Sequence, residues 1–236
     1  MQVTSAAINK NQETWNKSYL NNPRLLYPDA MFLHFLHKYA RKNRDIKNSI
    51  VIGCGDGVEA FALAKLGIKA HCVDFAENSI KRVQKFAKED NMEDFIDTTV
   101  SDQADLSAFP DDSFDLATSW SVISYGTFQD GMKAISEIYR VLKPGGQFIG
   151  ILESTDNTAF LNPGVKQIDH KTFHLPEDNP QTPVDVVMTY YDENDVRNAL
   201  KNFNDLSLSH RVIILPPNLK LKVGQWAFCC IKPNCQ

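Results

Sequence analysis

Three glycines at alternate positions, Gly53, Gly55 and Gly57, follow the β-branched run Ile50–Ile52. Glycine has no Cβ, so this stretch lets a ligand come close to the backbone and allows positive φ angles in a tight turn. A strand that leads into a helix through a glycine turn is where open α/β sheets bind nucleotides. The dinucleotide fingerprint, however, needs a glycine at position 58, where Val58 stands. The spacing therefore argues against a bound pyrophosphate.

An acid, Asp74, ends the next predicted strand, which runs from Lys69. In nucleotide-binding α/β proteins a carboxylate at this place accepts hydrogen bonds from ribose hydroxyls. The glycine turn and Asp74 together predict a site for an adenosine-like sugar. A helix-capping or surface acid is the alternative interpretation of Asp74.

Strands and helices alternate between residues 49 and 153. The predicted strands are 49–53, 69–74, 95–101, 114–120 and 147–153, and the predicted helices are 57–66, 77–90 and 130–142. This alternation is typical of a parallel sheet with right-handed crossovers and helices on both faces. The glycine turn and Asp74 then lie at the carboxyl ends of neighbouring strands.

Two N-terminal helices are predicted before this core. The first covers residues 9–20 and carries Trp15 and Tyr19 one helical turn apart, and the second begins at Tyr27-Pro28-Asp29 and extends to about Lys42. Contact with a ligand and packing between these helices and the sheet both account for the three aromatic residues.

Residues 154–189 form a polar stretch with four prolines, including Phe173-His174-Leu175-Pro176. A long polar connection in a compact domain is usually functional or mobile, so we expect a loop that closes over the mouth of the sheet when ligands bind. Asp192, with Asp195 at the N3 position, then predicts a capped helix to about Phe203. Strands 206–215 and 225–232 end the chain.

Three further blocks carry a family resemblance: Ser101–Leu106, Phe109–Leu116 and Glu137–Gly146. With the glycine turn and Asp74, they match in order and spacing the motifs of the class I S-adenosylmethionine-dependent methyltransferases, over roughly residues 48–153. The resemblance implies an α/β fold with a Rossmann-like, seven-stranded, mostly parallel sheet, helices on both faces and a C-terminal antiparallel hairpin. It implies a single domain over 1–236, divided into a helical lid (1–46), a cofactor-binding core (48–153), a substrate-side insertion (154–190) and a C-terminal helix and hairpin (191–236).

The same resemblance implies S-adenosylmethionine as the cofactor and S-adenosylhomocysteine as its product. Asp74 would bind the ribose, Phe75 would lie against the adenine face, and Asp102 would accept from the adenine amine. The expected cofactor-binding residues are Tyr19, Gly53, Cys54, Gly55, Gly57, Asp74, Phe75, Asp102, Gln103, Ser119 and Trp120.

Methyl transfer from a sulfonium is an in-line displacement, so alignment of the acceptor can supply much of the rate enhancement. An amine or enolate acceptor can react without a strong base, whereas a hydroxyl must lose its proton. The family often has a histidine near position 124 or 125, and Ser124-Tyr125 stands there. The remaining candidates for a base are Tyr125, Asp130, Glu153, His170 and His174.

Composition narrows the classes of partner. The 236-residue chain has a net charge of -4, which disfavours a nucleic-acid binder. It shows neither a membrane-spanning run nor a signal peptide, so we expect a cytoplasmic monomer or homodimer. Its five cysteines have no zinc-type spacing. His170 and His174 are four residues apart, but nearby prolines argue against a helical metal pair, so no metal is expected.

The polar insertion favours a small polar acceptor, such as a sugar or polyol. Two alternatives remain open. One is a non-catalytic S-adenosylmethionine-binding partner subunit, and the other is an RNA or protein methyltransferase.

Overall fold

The computed structural model describes residues 2–40, 45–182, 184–216 and 220–234. Its strands are β1 (Asn48–Ile52), β2 (Lys69–Asp74), β3 (Ile96–Val100), β4 (Phe114–Ser119), β5 (Leu142–Glu153), β6 (Lys166–Asp169), β7 (Thr172–Leu175), β8 (Val186–Thr189), β9 (Asn204–Leu215) and β10 (Leu221–Ile231). A seven-stranded sheet has the order β3-β2-β1-β4-β5-β10-β9. The strands from β1 to β5 are parallel, and β10 is antiparallel to both β5 and β9. The predicted fold class is confirmed.

Helices cover both faces of this sheet. They are α1 (Gln2–Asn21), α2 (Ala30–Phe35), α3 (Val58–Ala64), α4 (Glu77–Glu89), α5 (Phe128–Val141) and α6 (Glu193–Ala199). In β1 the side chain of Val51 belongs to the apolar cluster beneath α2, α3 and α4, whereas Ile50 and Ile52 belong to the cluster beneath α5 and α6. Side chains alternate between the faces of a strand, so a continuous apolar run is what a strand buried on both faces requires.

The N-terminal helices differ from the prediction in length. Helix α1 starts well before residue 9, and α2 ends at Phe35 and continues as a π-helical turn, Leu36–Ala40. The predicted end near Lys42 lies outside the described residues. The side-chain amide of Asn11 bonds both backbone groups of Val187 in β8, with Nδ2···O at 3.1 Å and N···Oδ1 at 2.9 Å. Helix α1 is thereby fixed to residues 154–190.

Residues 154–190 contain a second sheet, and the predicted structureless loop is wrong. Strands β6, β7 and β8 pair antiparallel in that order. Phe160 and Phe173 stack at 4.8 Å between ring centroids, and Tyr190 packs against both rings. The sequence contains these aromatic residues, but only the fold brings them together into one apolar cluster. This cluster gives the insertion an apolar core of its own, and its ordering on ligand binding stays a prediction.

The predicted C-terminal helix and strands are present in the structure, although their bounds differ. Asp192 caps α6 with a capping box to Asp195, although the helix ends at Ala199 rather than near Phe203. Within the described ranges, no helix has the length and hydropathy needed to cross a membrane. The thiols of Cys54, Cys72, Cys229 and Cys230 form no disulfide, and Cys235 lies outside the described residues.

Candidate functional site

The glycine turn after β1 has the backbone that its sequence predicts. Gly53, Gly55 and Gly57 have φ angles of 63°, 53° and 79°. A Cβ on Gly53 would lie 2.3 Å from both methyl carbons of Val122, and one on Gly55 would lie 2.8 Å from the Tyr19 hydroxyl. The turn therefore excludes side chains both by its φ angles and by its close neighbours.

Asp74 stands beside this turn and holds it. Its Oδ2 accepts from the backbone N–H of Gly55 at 2.9 Å, and its Oδ1 accepts from Ala76 at 2.9 Å. Burial raises the pKa of the Asp74 carboxyl, and these hydrogen bonds oppose the rise. The carboxylate still has lone pairs for further donors, since each oxygen can accept more than one hydrogen bond. Asp74 thus fixes the turn and also faces the cavity next to it.

A cavity of about 390 Å³ opens at this turn. Its wall consists of Trp15, Tyr19, Leu25, Tyr27, Asp29, Gly53, Cys54, Gly55, Asp56, Val58, Glu59, Asp74, Phe75, Trp120, Ser121, Val122 and Tyr125. Leu25 and Tyr27 are 64% and 80% exposed, so they lie where the cavity meets solvent. We name this cavity the main pocket.

A side pocket of about 30 Å³ adjoins it, and both share Gly53, Phe75 and Tyr125. Asp102 and Gln103 line the side pocket. Gln103 donates from Nε2 to the Tyr125 carbonyl at 3.0 Å, while its buried Oε1 accepts no hydrogen bond within the described part of the chain. Burial raises the pKa of the Asp102 carboxyl, which accepts from the Ala104 N–H at 2.8 Å. Two hydrogen-bond acceptors therefore face this small space.

Helix α1 forms the roof of the main pocket. Trp15 meets Tyr125 edge to face at 5.2 Å between ring centroids, and Gln12 donates to the Phe75 carbonyl at 2.8 Å. Burial, followed by the charge of Asp74, raises the pKa of the Tyr19 hydroxyl well above its usual value, so this group stays a neutral donor. Trp15 and Tyr19 pack within the protein and also line the pocket.

Three acids in the wall were missed by the sequence reasoning. Asp56 pairs with Arg82, with Nε···Oδ1 at 2.7 Å. Asp29 pairs with Arg211 through both guanidinium nitrogens; burial opposes ionisation of Asp29, but these hydrogen bonds lower its pKa overall. Glu59, the third, has no such partner among the described residues, and burial raises its pKa to about 7. Asp56 and Glu59 directly flank the glycine motif, which was the available signal, whereas nothing local marks Asp29.

Only some of the candidate bases lie at the two cavities. Tyr125 lines both cavities, and burial raises the pKa of its hydroxyl. Asp130 is the N3 acid of the α5 capping box, accepting from the Thr127 backbone at 2.8 Å. Glu153 is buried outside both cavity walls, where it accepts from Gln225 Nε2 at 2.7 Å. Burial raises the pKa of its carboxyl.

Neither insertion histidine reaches the pocket wall. His170 is exposed beside the turn between β6 and β7, and His174 bonds Asp185 within the insertion. His174 lies in the small sheet and His170 in the turn before β7, and their approach to an acceptor stays a prediction.

The expected cofactor residues fall mostly on the two cavities. Gly53, Cys54, Gly55, Asp74, Phe75, Tyr19 and Trp120 line the main pocket, and Asp102 and Gln103 line the side pocket. Gly57 instead caps α3, and Ser119 is fully buried at the end of β4, outside both walls. Among the described residues no cluster of three acids, histidines or cysteines is placed to hold a metal ion.

A larger hollow of about 570 Å³ lies at the opposite edge of the sheet. It is lined by residues 45–48 and 66–69, at the amino ends of β1 and β2, with Phe95. Open α/β sheets bind ligands outside the carboxyl ends of their strands. The smaller main pocket, which contains the glycine turn, is therefore the candidate site.

Comparison with known proteins shows which families the chain resembles. Residues 50–150 match the family model described as a methyltransferase domain. A curated relative, a demethylmenaquinone methyltransferase of Listeria welshimeri, is 33% identical over 131 residues, which make up 53% of this chain and 51% of the relative. Another, an S-adenosyl-L-methionine-dependent Diels-Alderase of Talaromyces variabilis, is 35% identical over 97 residues, or 41% of this chain and 32% of that protein.

Solved structures extend the similarity of fold. A SAM-dependent methyltransferase of Methanosarcina mazei has a TM-score of 0.67 at 20% identity and covers 89% of this chain and 100% of its own. The curated sequence matches are shorter, because this chain spans about half the length of the first relative and a third of the second.

Proposed function

We propose that this chain, whose residues 50–150 match a family model described as a methyltransferase domain, is a class I S-adenosylmethionine-dependent methyltransferase that transfers a methyl group from that cofactor to a small-molecule acceptor. One observation carries the proposal. The matched segment provides a side-chain-free glycine turn, a carboxylate fixed beside it, and two acceptors in a small adjoining cavity.

The residues present fit the cofactor. A nucleoside at the glycine turn would place its ribose hydroxyls at Asp74, which retains accepting capacity. Gln103 Oε1, buried without a donor in the described structure, fits an exocyclic amine. Phe75 lines both cavities and offers an apolar ring between these two polar ends.

When bound, S-adenosylmethionine supplies an electrophilic methyl group on a sulfonium. The chain positions the reacting groups and excludes water from them. Trp15 and Tyr19 of α1 and Trp120 after β4 line the pocket for this purpose. Orienting an acceptor in line with the methyl group accounts for a large part of such a rate enhancement. Exclusion of water also strengthens the electrostatic interactions in the pocket.

The class of the acceptor is a separate step of the proposal. A sugar or polyol was inferred from the polar insertion, but the insertion does not line the main pocket. Leu25, Tyr27 and Trp120 do, and they favour an acceptor with an apolar or planar part. The Listeria relative is named for a quinone substrate. We therefore rank a planar, partly apolar acceptor above a sugar.

A transfer assay with isotopically labelled methyl donor tests the function. The enzyme is incubated with a metabolite extract, and mass spectrometry follows one labelled product together with S-adenosylhomocysteine. Calorimetry on the same protein should show binding of S-adenosylhomocysteine and no binding of NAD. Tighter binding of NAD would contradict the proposal.

A second candidate is a cyclising enzyme that retains the cofactor without consuming it. Two observations favour it: one relative is named a Diels-Alderase, and no histidine or lysine lines the main pocket among the described residues. Such an enzyme would bind S-adenosylhomocysteine but label no product from any extract.

A further inference from the structure

The carboxyl groups of the main pocket differ in the donors and cations that compensate their negative charge. Asp74 receives two backbone N–H groups, Asp56 pairs with Arg82, and Asp29 pairs with Arg211. Glu59 is only 8% exposed, and within the described chain the one hydrogen bond to its carboxyl comes from its own backbone N–H. A buried carboxylate without a counter-charge is costly, so this arrangement calls for a cation or a donor from outside the chain.

We propose that Glu59 is the anionic half of an ammonium-binding subsite in the main pocket. The inference rests on the proposed function and deepens it, because it assigns a ligand chemistry to one wall of the same site. The ammonium has two possible sources, the amino-acid part of the cofactor and an amine on the acceptor.

The groups that face Glu59 favour a positive ligand. Arg211 balances Asp29 and Arg82 balances Asp56, whereas Asp74 in the same wall receives only neutral backbone N–H groups. Arg82 is committed to Asp56 and to the backbone carbonyls of Tyr19 and Asn22. Arg82 and Arg211, which reach acids of the pocket wall, are thus both paired with those acids, and Glu59 is left for the ligand.

A metal ion suits this wall less well. Calcium and magnesium require six or more oxygen ligands in a defined geometry. No such cluster of side chains exists among the residues that the structure describes. An ammonium needs only one carboxylate and an aromatic surface, and Tyr27 and Trp120 line the same pocket.

A structural explanation for Glu59 must also be tested. Glu59 lies in the first turn of α3, where an acid stabilises the helix dipole. Glu77 occupies the first turn of α4, but its side chain is 62% exposed and outside the pocket. Glu77→Gln is therefore the matched control, since it removes the corresponding first-turn acid of α4 without touching the pocket.

The experiment is calorimetry of three proteins, wild type, Glu59→Gln and Glu77→Gln, with two nucleosides at pH 8. S-Adenosylhomocysteine carries the ammonium, and 5′-methylthioadenosine lacks the whole amino-acid part. We expect Glu59→Gln to weaken S-adenosylhomocysteine binding about tenfold or more and to leave methylthioadenosine binding unchanged. A second arm titrates n-propylamine onto protein saturated with methylthioadenosine and reports an ammonium site for an acceptor.

The outcomes distinguish a failure of the ammonium subsite from a failure of the proposed function. A response of either arm to Glu59→Gln, with Glu77→Gln like wild type, supports the subsite and identifies the source. Unchanged affinities in both arms overturn it, as does an equal loss for methylthioadenosine, which would show a general disturbance of the pocket. If the wild type bound neither nucleoside, the proposed function itself would fail.

Discussion

The two sides of the pocket region are built in different ways. On one side, β1, the glycine turn and the end of β2 form a surface from backbone groups, fixed by the Asp74 carboxylate over a sequence separation of about 20 residues. On the other side, residues 154–190 form a small sheet that meets the pocket region through long-range contacts of β8. Asn11 bonds Val187, 176 residues away, and Tyr125 of the pocket wall forms a β-bridge with Met188. The first side is local in sequence, and the second depends on contacts between distant parts of the chain.

This difference indicates where function should be sensitive. Substitutions at the backbone-built side change the site itself, because a Cβ or a missing carboxylate acts directly on the turn. Substitutions in the insertion act through its contacts with α1 and Tyr125 and should have weaker effects. The five predictions below test that order.

The largest effect is expected for Gly53→Ala. The new Cβ would lie 2.3 Å from Val122 at a φ of 63°, so the turn must shift and cofactor affinity should fall more than 100-fold. Gly67→Ala is the control, because Gly67 has a φ of 77° but nothing within 4 Å of its ideal Cβ. Calorimetry with S-adenosylhomocysteine measures both. If the two variants bound S-adenosylhomocysteine equally well, the claim that the glycine turn forms the binding surface would be contradicted.

The second prediction concerns the pH dependence of stability on the same side. Folding raises the pKa of Glu59 from 4.5 to about 7, mainly by burial. Its stabilising contribution is therefore complete below pH 4.5 and is lost as the pH rises through 7. Relative to Glu59→Gln, the unfolding free energy of the wild type should fall by up to about 3 kcal/mol between pH 4 and pH 8. Denaturant titrations of both proteins check this, and parallel pH profiles would contradict it.

Asp74→Ala should reduce both affinity and stability. The sugar hydroxyls lose a charged acceptor, which should weaken cofactor binding by about 1.5–3 kcal/mol. The N–H groups of Gly55 and Ala76 lose their partner as well, so the melting temperature should fall. Asp74→Asn, which keeps one acceptor oxygen, should show a smaller loss of both. Calorimetry measures the cofactor affinity of both variants, and thermal melting measures their stability. If Asp74→Ala changed neither quantity, both roles assigned to Asp74 would be contradicted.

Asn11→Ala tests the long-range side. The variant leaves the buried backbone N–H of Val187 without its partner, which should cost about 1–2 kcal/mol of unfolding free energy. The Val187 carbonyl still accepts from the Gly126 N–H. Cofactor affinity should fall only a few fold, because Trp15 and Tyr19 keep their other contacts. Asn22→Ala, at an exposed asparagine just beyond the same helix, is the control. A loss of affinity as large as that of Gly53→Ala would contradict the proposed order.

The smallest effect is expected for His170→Ala and His174→Ala. Neither histidine lines the main pocket, and His174 contacts only the insertion's own Asp185 among the ionisable groups that the structure describes. Turnover on the identified acceptor should therefore remain within about twofold of the wild type. A large loss of turnover with either variant would restore the histidine as a catalytic candidate and give the insertion a direct role.

Several features could be predicted from the sequence: the fold class, the succession of strands and helices in the parallel part of the sheet, and the positions of the glycine turn and Asp74. Each of these depends on residue spacing within a short stretch of the chain. The sequence also predicted Asp192 as the cap of α6, since a capping box involves only four consecutive residues.

Only the tertiary structure decided the rest of the site. It placed His170, His174 and Asp130 outside the wall of the main pocket and brought Asp29, Asp56 and Glu59 into that wall. It also turned a polar, proline-containing stretch into a sheet with its own apolar cluster. The physical reason is the same in each case: burial, pairing and strand partners are set by groups far away in sequence, and no local pattern specifies them.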